Sequence, residues 1–262
     1  MNTSKKQKLY SLVLFCLGIG LGVASQNLPT LDSANINSLN STFISKEIPK
    51  KCCSSFFIER DGYSLGYDAR NRNPAWVYEH LSQENLKGEA ERMSCAFKED
   101  ESLPEHLRAT LMDYQGKGYD RGHLAPAADH KSCHNRLADT FYLTNMCPQC
   151  PQFNRGYWAA FEKHVRDLTK SYHDIEVITG PLYLPHTKSD GSRVVKYKVI
   201  GKNDVAVPTH FFKVIKCNSS SGLHEIKAYV LPNAQIAQNI SLDTFAMSLE
   251  KVEKLAGMIF FP

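Results

Sequence analysis

Apolar and polar residues alternate in several short segments of the chain, which is the period of a half-buried β-strand. The first such region is FFIERDGYSLGYDARNRNPAWVYEHL, residues 56–81. It predicts two strands around Asp61-Gly62, a turn that ends at Asn73-Pro74 and a third strand from Trp76 to His80. The other predicted strands lie in DIEVITG, stopped by Gly180-Pro181, in the two halves of RVVKYKVIGKNDVAVPTHFFKVIKC around Gly-Lys-Asn-Asp, and in LHEIKAYVLP.

Helical periodicity is found in two segments. In residues 248–256, Ser248 is a candidate N-cap and Gly257 a candidate terminator. Residues 155–171 carry an apolar stripe at helical spacing. That stripe consists of Tyr157, Phe161, Val165 and Leu168. Many short strands with few helices predict an α+β fold, in which a central antiparallel sheet is flanked by helices.

A more polar stripe runs beside the apolar one on the same predicted helix. Asn154, Trp158, Glu162 and Arg166 recur every four residues, so they drift slowly around a helix of about 100° per residue. The simplest interpretation is a solvated face on which Glu162 and Arg166 form a pair worth a few tenths of a kcal/mol. Taken alone, the stripe favours that interpretation.

The N-terminal segment has the layout of a cleaved signal peptide. Three lysines precede an apolar run from Leu9 to Ala24, which ends in small residues and is short for a membrane span of about 20 residues. We therefore predict a signal peptide over residues 1–25, export to the periplasm or the medium, and no stable membrane association after cleavage. An uncleaved anchor is the weaker alternative. A mitochondrial transit peptide, the other alternative, is disfavoured because Arg60 is the first arginine.

The rest of the chain predicts a polar linker over residues 26–51 and one folded domain over residues 52–262. A hydrophobic content of 42% is enough to bury a core. Residues 1–25 contain three lysines and no acidic residue, so the net charge of +4 falls to +1 after cleavage. The overall charge thus favours no class of partner, and binding of a polyanion would require a local basic patch.

Cysteine and histidine pairs offer two candidate metal sites. Of the eight cysteines one lies in the predicted signal, and the odd number that remains leaves the disulfide pairing open. Cys147 and Cys150 fit either a zinc site or a disulfide, and export favours the disulfide. His130 and His134 are predicted to be surface loop residues rather than a metal-binding pair, because no companion ligands stand at zinc spacing.

The segment GYDRGHLAPAADH, residues 118–130, places an acid, a base, a glycine and a histidine side by side. With this Asp-Arg-Gly-His motif, the chain resembles the DNA/RNA non-specific endonuclease family and, within it, the endonuclease G group. The resemblance covers nearly everything from residue 56 onward. The matching blocks are YDARNRNPAWVYEHL, YDRGHLAPAADH, DTFYLTNMCPQ, the helix that starts at Asn154, ITGPLYLP, VKYKVIGKNDVAVPTHFFKV and GMIFFP.

The resemblance implies a ββα-metal fold, also called the His-Me finger, in which a hairpin strand presents a histidine and the next helix presents a metal ligand. By matching positions, His123 is implied to be the general base. Asn154 is implied to be the one side chain bound directly to Mg²⁺, with Mn²⁺ as an alternative ion, and Glu162 to hold the ion through water. Histidine suits its role because its ordinary pKa of about 6.5 leaves it neutral near pH 7.

Other charged and amide residues are assigned in the same way. Arg166 and Arg92 match phosphate-contacting arginines of the family, and Asn145 matches an asparagine near its active site. For Asp120, an ion pair that positions the loop is favoured over a direct catalytic role. Arg121 is balanced between a phosphate contact and a structural role.

The implied activity is Mg²⁺-dependent internal cleavage of DNA and RNA that leaves 5′-phosphate ends. Phosphate contacts carry no sequence information directly, so sequence preference should be weak and salt sensitivity marked. The resemblance also implies a homodimer, and an inhibitor protein is left open. The alternative function is a catalytically silent nucleic-acid-binding protein that serves DNA uptake on the same scaffold. The presence of His123, Asn154, Glu162 and Arg166 at the family's spacings argues against it.

Overall fold

The computed structural model describes residues 55–91 and 95–261, without the side chain of Ser55. The predicted signal peptide, the predicted linker and Arg92 lie outside these ranges. The described strands are β1 Ser55–Glu59, β2 Tyr63–Asp68, β3 Asn73–Leu81, β4 Asp120–His123, β5 Met146–Gln149, β6 Asp174–Leu182, β7 His186–Thr187, β8 Arg193–Val194, β9 Val199–Ile200, β10 Val205–Ala206, β11 His210–Asn218, β12 His224–Pro232 and β13 Ala246–Met247.

Helices are fewer and shorter. The α-helices are α1 Leu111–Tyr114, α2 His134–Asp139, α3 Ala159–Leu168 and α4 Leu249–Ala256. A π-helix, Phe153–Trp158, leads directly into α3. Short 3₁₀ turns lie at Glu105–Leu107, Ala127–Asp129, Leu143–Asn145 and Leu242–Phe245. Among the described residues, no helix has the length and apolar character that crossing a membrane would require.

A seven-stranded antiparallel sheet forms the centre of the fold, in the order β1-β2-β3-β6-β11-β12-β13. Strand β11 lies between β6 and β12 and carries buried apolar residues on both faces. Phe211 and Ile215 pack on one face, whereas Phe212 and Val214 pack on the other. This alternation follows from the two-residue period of a strand. The sheet with helices on its faces confirms the predicted α+β fold.

Each face of the sheet has its own core. On the first face, aromatic residues of the π-helix and α3 pack against β11, and the ring of Phe153 stacks on Phe211 at 5.9 Å. On the second face, Val252 of α4 packs against the sheet. Helix α4 begins and ends where predicted. Ser248 Oγ accepts a hydrogen bond from the Lys251 amide, and Gly257 adopts a left-handed φ of 69°.

Strand β6 continues through Gly180-Pro181, where the sequence predicted a stop. It runs to Leu182, because only β11 pairs with it beyond Thr179. A proline there removes no donor from a ladder with β3, so that edge of the strand tolerates it.

The ββα arrangement consists of β4, β5 and the helix that follows them. Strands β4 and β5 pair antiparallel, with His123 opposite Met146. The helix then starts as a π-helix, which the four-residue stripe did not predict. Trp158 is therefore fully buried in the core rather than on the face of Asn154. Ala159 shares that face instead, because i→i+5 bonding places residues five apart on one side.

Candidate active site

A cavity of about 640 Å³ opens between β4 and the helix that follows β5. Its walls bring together the end of the Asp-Arg-Gly-His motif and the first turns of that helix. The lining residues are Phe97, Tyr114, Gln115, Gly116, Tyr119, Asp120, Arg121, His123, Pro126, Ala127, Ala128, Asn154, Arg155, Ala159 and Glu162. Residues 31 positions apart in sequence, His123 and Asn154, thus line one cavity.

His123 is held at the end of β4 by aromatic packing. Its ring lies 5.7 Å from that of Phe97 and 5.1 Å from that of Phe141, and the residue is 8% exposed. Gly122 precedes it in the strand, and a side chain at that position would overlap Gln149. The glycine of the motif therefore allows β5 to approach closely beside the histidine.

Asn145 lies behind this strand and does not line the cavity. It is fully buried, and its carboxamide bonds to backbone groups of Ala125 and Thr140 at 2.9 Å. Leu124 also donates its backbone N–H to the carbonyl of Asn145. These bonds fix the chain just after His123, so the position of Asn145 favours a structural role over contact with a substrate.

Asp120 organises the other wall of the cavity. One of its carboxylate oxygens accepts a hydrogen bond from Asn154 Nδ2 at 2.8 Å, and both accept from Arg155 at 2.8 and 2.6 Å. Partial burial opposes ionisation of Asp120, but the bonds from Arg155 and Asn154 prevail and lower the pKa of the carboxyl group. An ionised carboxylate only accepts hydrogen bonds, so the Nδ2 edge of Asn154 must face it. Oδ1 of Asn154 is then left for another partner.

Glu162 lies on the same wall, one turn into α3. It lines the cavity and is partly buried. This burial raises the pKa of Glu162 to about 8, against the opposing effect of the Lys213 ammonium. A cation bound in the cavity would act in the same direction as Lys213 and would favour the ionised form of Glu162.

Arg121 and Phe97 form a third side of the cavity. The guanidinium carbon of Arg121 lies 4.9 Å from the centre of the Phe97 ring. Within the described residues Arg121 has no carboxylate partner at ion-pair distance, a placement that favours the phosphate-contact interpretation over the structural one. Phe97 was missed by sequence reasoning, because an isolated phenylalanine 26 residues before His123 carries no signal.

Arg166 does not line the cavity but pairs with a buried carboxylate. Its Nη1 lies 2.6 Å from Oδ1 of Asp129, which is 3% exposed. Burial raises the pKa of Asp129 to about 6, and Arg166 counteracts that shift. The simplest interpretation of the stripe, a Glu162–Arg166 pair on a solvated face, is thus replaced by a pair that joins α3 to the loop after His123. The phosphate contact that the resemblance implies for Arg166 stays a prediction, since Arg166 is not among the residues that line the cavity.

Replacing Arg166 with alanine should lower the free energy of unfolding by about 3 kcal/mol, since one partner of a largely buried ion pair is lost. Urea denaturation at neutral pH measures the change. Lys163→Ala is the matched control on the same helix, because Lys163 pairs with Asp167 at the surface and should change stability by less than about 1 kcal/mol. Equal, small changes in both variants would contradict a structural role for the Arg166–Asp129 pair.

The surface position predicted for His130 and the disulfide predicted between Cys147 and Cys150 are wrong, whereas His134 is exposed as predicted. His130 is not a surface loop residue: it is 3% exposed and its Nε2 lies 2.9 Å from the buried Glu79. Cys147 and Cys150 form no disulfide. Cys147 points into the core from β5, where burial raises its thiol pKa, while the Cys150 thiol bonds to Gln152. Cys147 lies within β5, whereas Cys150 follows its last residue. No group of three or more His, Cys, Asp or Glu side chains in residues 55–91 and 95–261 is arranged to hold a metal ion.

Comparisons with known proteins show which family this sequence resembles. A sequence profile described as DNA/RNA non-specific endonuclease matches residues 40–262. Human mitochondrial endonuclease G is 48% identical over 203 residues, which cover 78% of this chain and 68% of the relative. Nuclease C1 of Cunninghamella echinulata is 45% identical, covering 78% of this chain and 82% of the relative. Human mitochondrial nuclease EXOG is 43% identical, covering 76% and 55%.

A solved structure shows the same fold. The crystal structure of an EndoG/EndoGI complex superposes with a TM-score of 0.77 at 46% sequence identity, covering 78% of this chain and 85% of that chain. The predicted ββα-metal fold and the predicted similarity to endonuclease G are both confirmed. The chain therefore belongs to the DNA/RNA non-specific endonuclease family and is a nuclease.

Proposed function

We propose that the protein is a Mg²⁺-dependent endonuclease that hydrolyses phosphodiester bonds of both DNA and RNA, with His123 as the general base and Asn154 as the metal ligand. The observation that carries the proposal is the shared cavity, in which a histidine and a carboxamide held in a fixed orientation face the same space. The family and the names of the relatives support the nucleic-acid substrate.

The donor set of the cavity fits Mg²⁺. This ion prefers oxygen ligands and keeps several of its waters, so it needs few protein groups. The amide nitrogen of Asn154 donates its hydrogen bond to Asp120, so the carboxamide oxygen is the atom that can bind the ion. Asn154 would hold the ion directly and Glu162 would hold it through water. When bound, Mg²⁺ supplies charge that stabilises the phosphate oxygens and the departing 3′ oxygen.

The side chains of the cavity divide the remaining tasks. A ring nitrogen of His123 takes the proton of the attacking water, while Phe97 and Phe141 keep the imidazole in place. The Arg121 guanidinium binds a non-bridging phosphate oxygen in its fork geometry. Cleavage of the bond to the 3′ oxygen leaves a 5′ phosphate. These contacts involve phosphate rather than base or 2′-hydroxyl, so DNA and RNA are both substrates.

The experiment is cleavage of supercoiled plasmid and of RNA by the purified protein, with Mg²⁺, with Mn²⁺ or with EDTA. We expect nicked and then linear DNA and degraded RNA with either ion, and intact substrates in EDTA. End-labelling with and without phosphatase identifies the 5′ phosphate. Cleavage at the same rate in EDTA would contradict the metal dependence, and binding without cleavage under all conditions would favour the silent nucleic-acid-binding protein.

The names of the relatives bear on the compartment and the partners of the protein. Human endonuclease G and human EXOG are both named as mitochondrial, which supports the mitochondrial alternative over export. Fractionation of cells that express the full chain with a C-terminal tag separates the two. The solved complex of EndoG with EndoGI supports an inhibitor protein as a partner of this chain. Light scattering of the purified protein tests for a homodimer.

A further inference from the structure

We propose that Arg155 is a preorganised phosphate-binding residue at the mouth of the cavity, with Asp120 holding its guanidinium in place. The proposal rests on the proposed nucleic-acid substrate but not on the metal or on the catalytic step. It gives a role to an arginine that the family motifs did not single out. Arg155 follows Asn154 directly and lines the same cavity.

Arg155 combines high exposure with a fixed orientation. Its side chain is 72% exposed, whereas that of Asp120 is 16% exposed. Nε and Nη2 of Arg155 donate to the two oxygens of the carboxylate at 2.8 and 2.6 Å. Two parallel bonds of this kind fix both the direction and the plane of a guanidinium. An exposed arginine ordinarily samples many rotamers, and Asp120 removes that freedom before any substrate binds.

The bonds to Asp120 leave donors available. A guanidinium has five N–H groups, and Asp120 uses two of those of Arg155. The other three can bind a phosphate without breaking the pair. Arg155 can therefore bind a phosphate while it keeps both hydrogen bonds to Asp120.

The charge distribution of the cavity supports the same role. The carboxylate of Asp120 lines the space that a polyanion must enter. Arg121 lies at the wall beside Phe97, and Arg155 lies beside Asp120. Without Arg155, Asp120 would present an uncompensated negative charge to the approaching phosphate. The guanidinium thus offsets that charge and adds a direct contact.

Salt dependence of binding tests the proposal, because each neutralised phosphate contributes about −0.9 to the slope of log K against log salt for duplex DNA. Binding of a fluorescent duplex of about 20 base pairs is measured by anisotropy in EDTA, between about 50 and 200 mM KCl. All proteins carry His123→Ala, so that no bond is cut. The variants are Arg155→Ala, Arg155→Gln and Arg155→Lys. Arg136→Ala is the matched control, since Arg136 also makes two contacts of 3.1 Å with an aspartate, Asp61, but does not line the cavity.

We expect Arg155→Ala and Arg155→Gln to weaken binding by about tenfold, the lower end for a charge-assisted hydrogen bond. Their slopes should be less steep by about 0.9. Arg155→Lys should keep most of the slope, and Arg136→Ala should keep both affinity and slope. An unchanged slope in Arg155→Ala and Arg155→Gln would overturn the proposal, even if cleavage fell in the active background, because Arg155 would then act only through Asp120 and Asn154. An equal change in Arg136→Ala would overturn it as well, since the effect would not be local.

Discussion

Replacing His123 with alanine should lower the rate of DNA and RNA cleavage by on the order of 10² or more, the usual scale for the loss of a general base. No other imidazole can take its place, because His123 is the one histidine among the lining residues of the described cavity. The loss should appear in the maximal rate rather than in the affinity for nucleic acid. In the proposed site the phosphate contacts are made by arginine side chains and not by the imidazole.

Initial rates on plasmid and on RNA, together with binding of uncut duplex in EDTA, measure the two quantities separately. His134→Ala is the matched control, because His134 is an exposed residue at the start of α2 and does not line the cavity. We expect this control to cleave at the rate of the unaltered protein. Near-normal cleavage by His123→Ala would reject the proposed mechanism. Loss of binding in that variant would instead mean that the ring holds the substrate.

The strand pattern of the sequence predicted most of the sheet. A strand with one buried face alternates apolar and polar residues, and a strand with two buried faces is a short apolar run, so both leave a signal in the sequence. The pattern failed where tertiary pairing overrides a local signal. Pro181 is a strand breaker in isolation, yet it occurs within β6 because β3 no longer pairs there. The helix cap at Ser248 and the terminator at Gly257 were predictable, since both depend on neighbouring residues only.

The active-site helix shows the limit of a periodic interpretation. A π-helix depends on how the segment packs, and nothing in the spacing of Asn154 and Trp158 distinguishes it from an α-helix. The same limit applies to His130, whose burial follows from a partner 51 residues away, Glu79. Arg155 was accessible to sequence reasoning, because it is adjacent to Asn154. The four-residue stripe that starts at Asn154 does not include it, because residues next to each other on a helix point in different directions.

Asp120 is predicted to position its neighbours rather than to react, and its hydrogen bonds show which side chains it holds. The carboxylate touches both Asn154 and Arg155, so it orients the proposed metal ligand and the proposed phosphate contact together. Outer partners of metal ligands typically contribute roughly 10–100-fold to metal affinity or activity. Removing the metal ligand itself should lower metal affinity or activity by at least the same factor.

Asn154→Ala should accordingly lower the maximal rate by on the order of 10² or more at any Mg²⁺ concentration. Asn154→Asp is the more informative variant. Carboxylates are common Mg²⁺ ligands, so chemistry at the ligand atom alone predicts that it stays active. The structure predicts the opposite. The new carboxylate would lie where the amide nitrogen now sits 2.8 Å from Asp120, and two carboxylates at that distance repel each other or share a proton.

Rates measured across a range of Mg²⁺ concentrations, with duplex binding in EDTA as the second measurement, distinguish these expectations. Asn154→Ala should bind DNA with at most a small change in affinity, because the proposed phosphate contacts are those of Arg121 and Arg155. Asn154→Asp should bind more weakly, because it adds a negative charge beside Asp120, which holds Arg155. Lys163→Ala, on the outer side of the same helix, is the control for indirect effects and should cleave normally. If Asn154→Asp cleaved as fast as the unaltered protein, the role of Asp120 in fixing the carboxamide would be refuted. If Asn154→Ala did so, the ligand assignment itself would fall, because the cavity would then have to hold its ion through Glu162 alone.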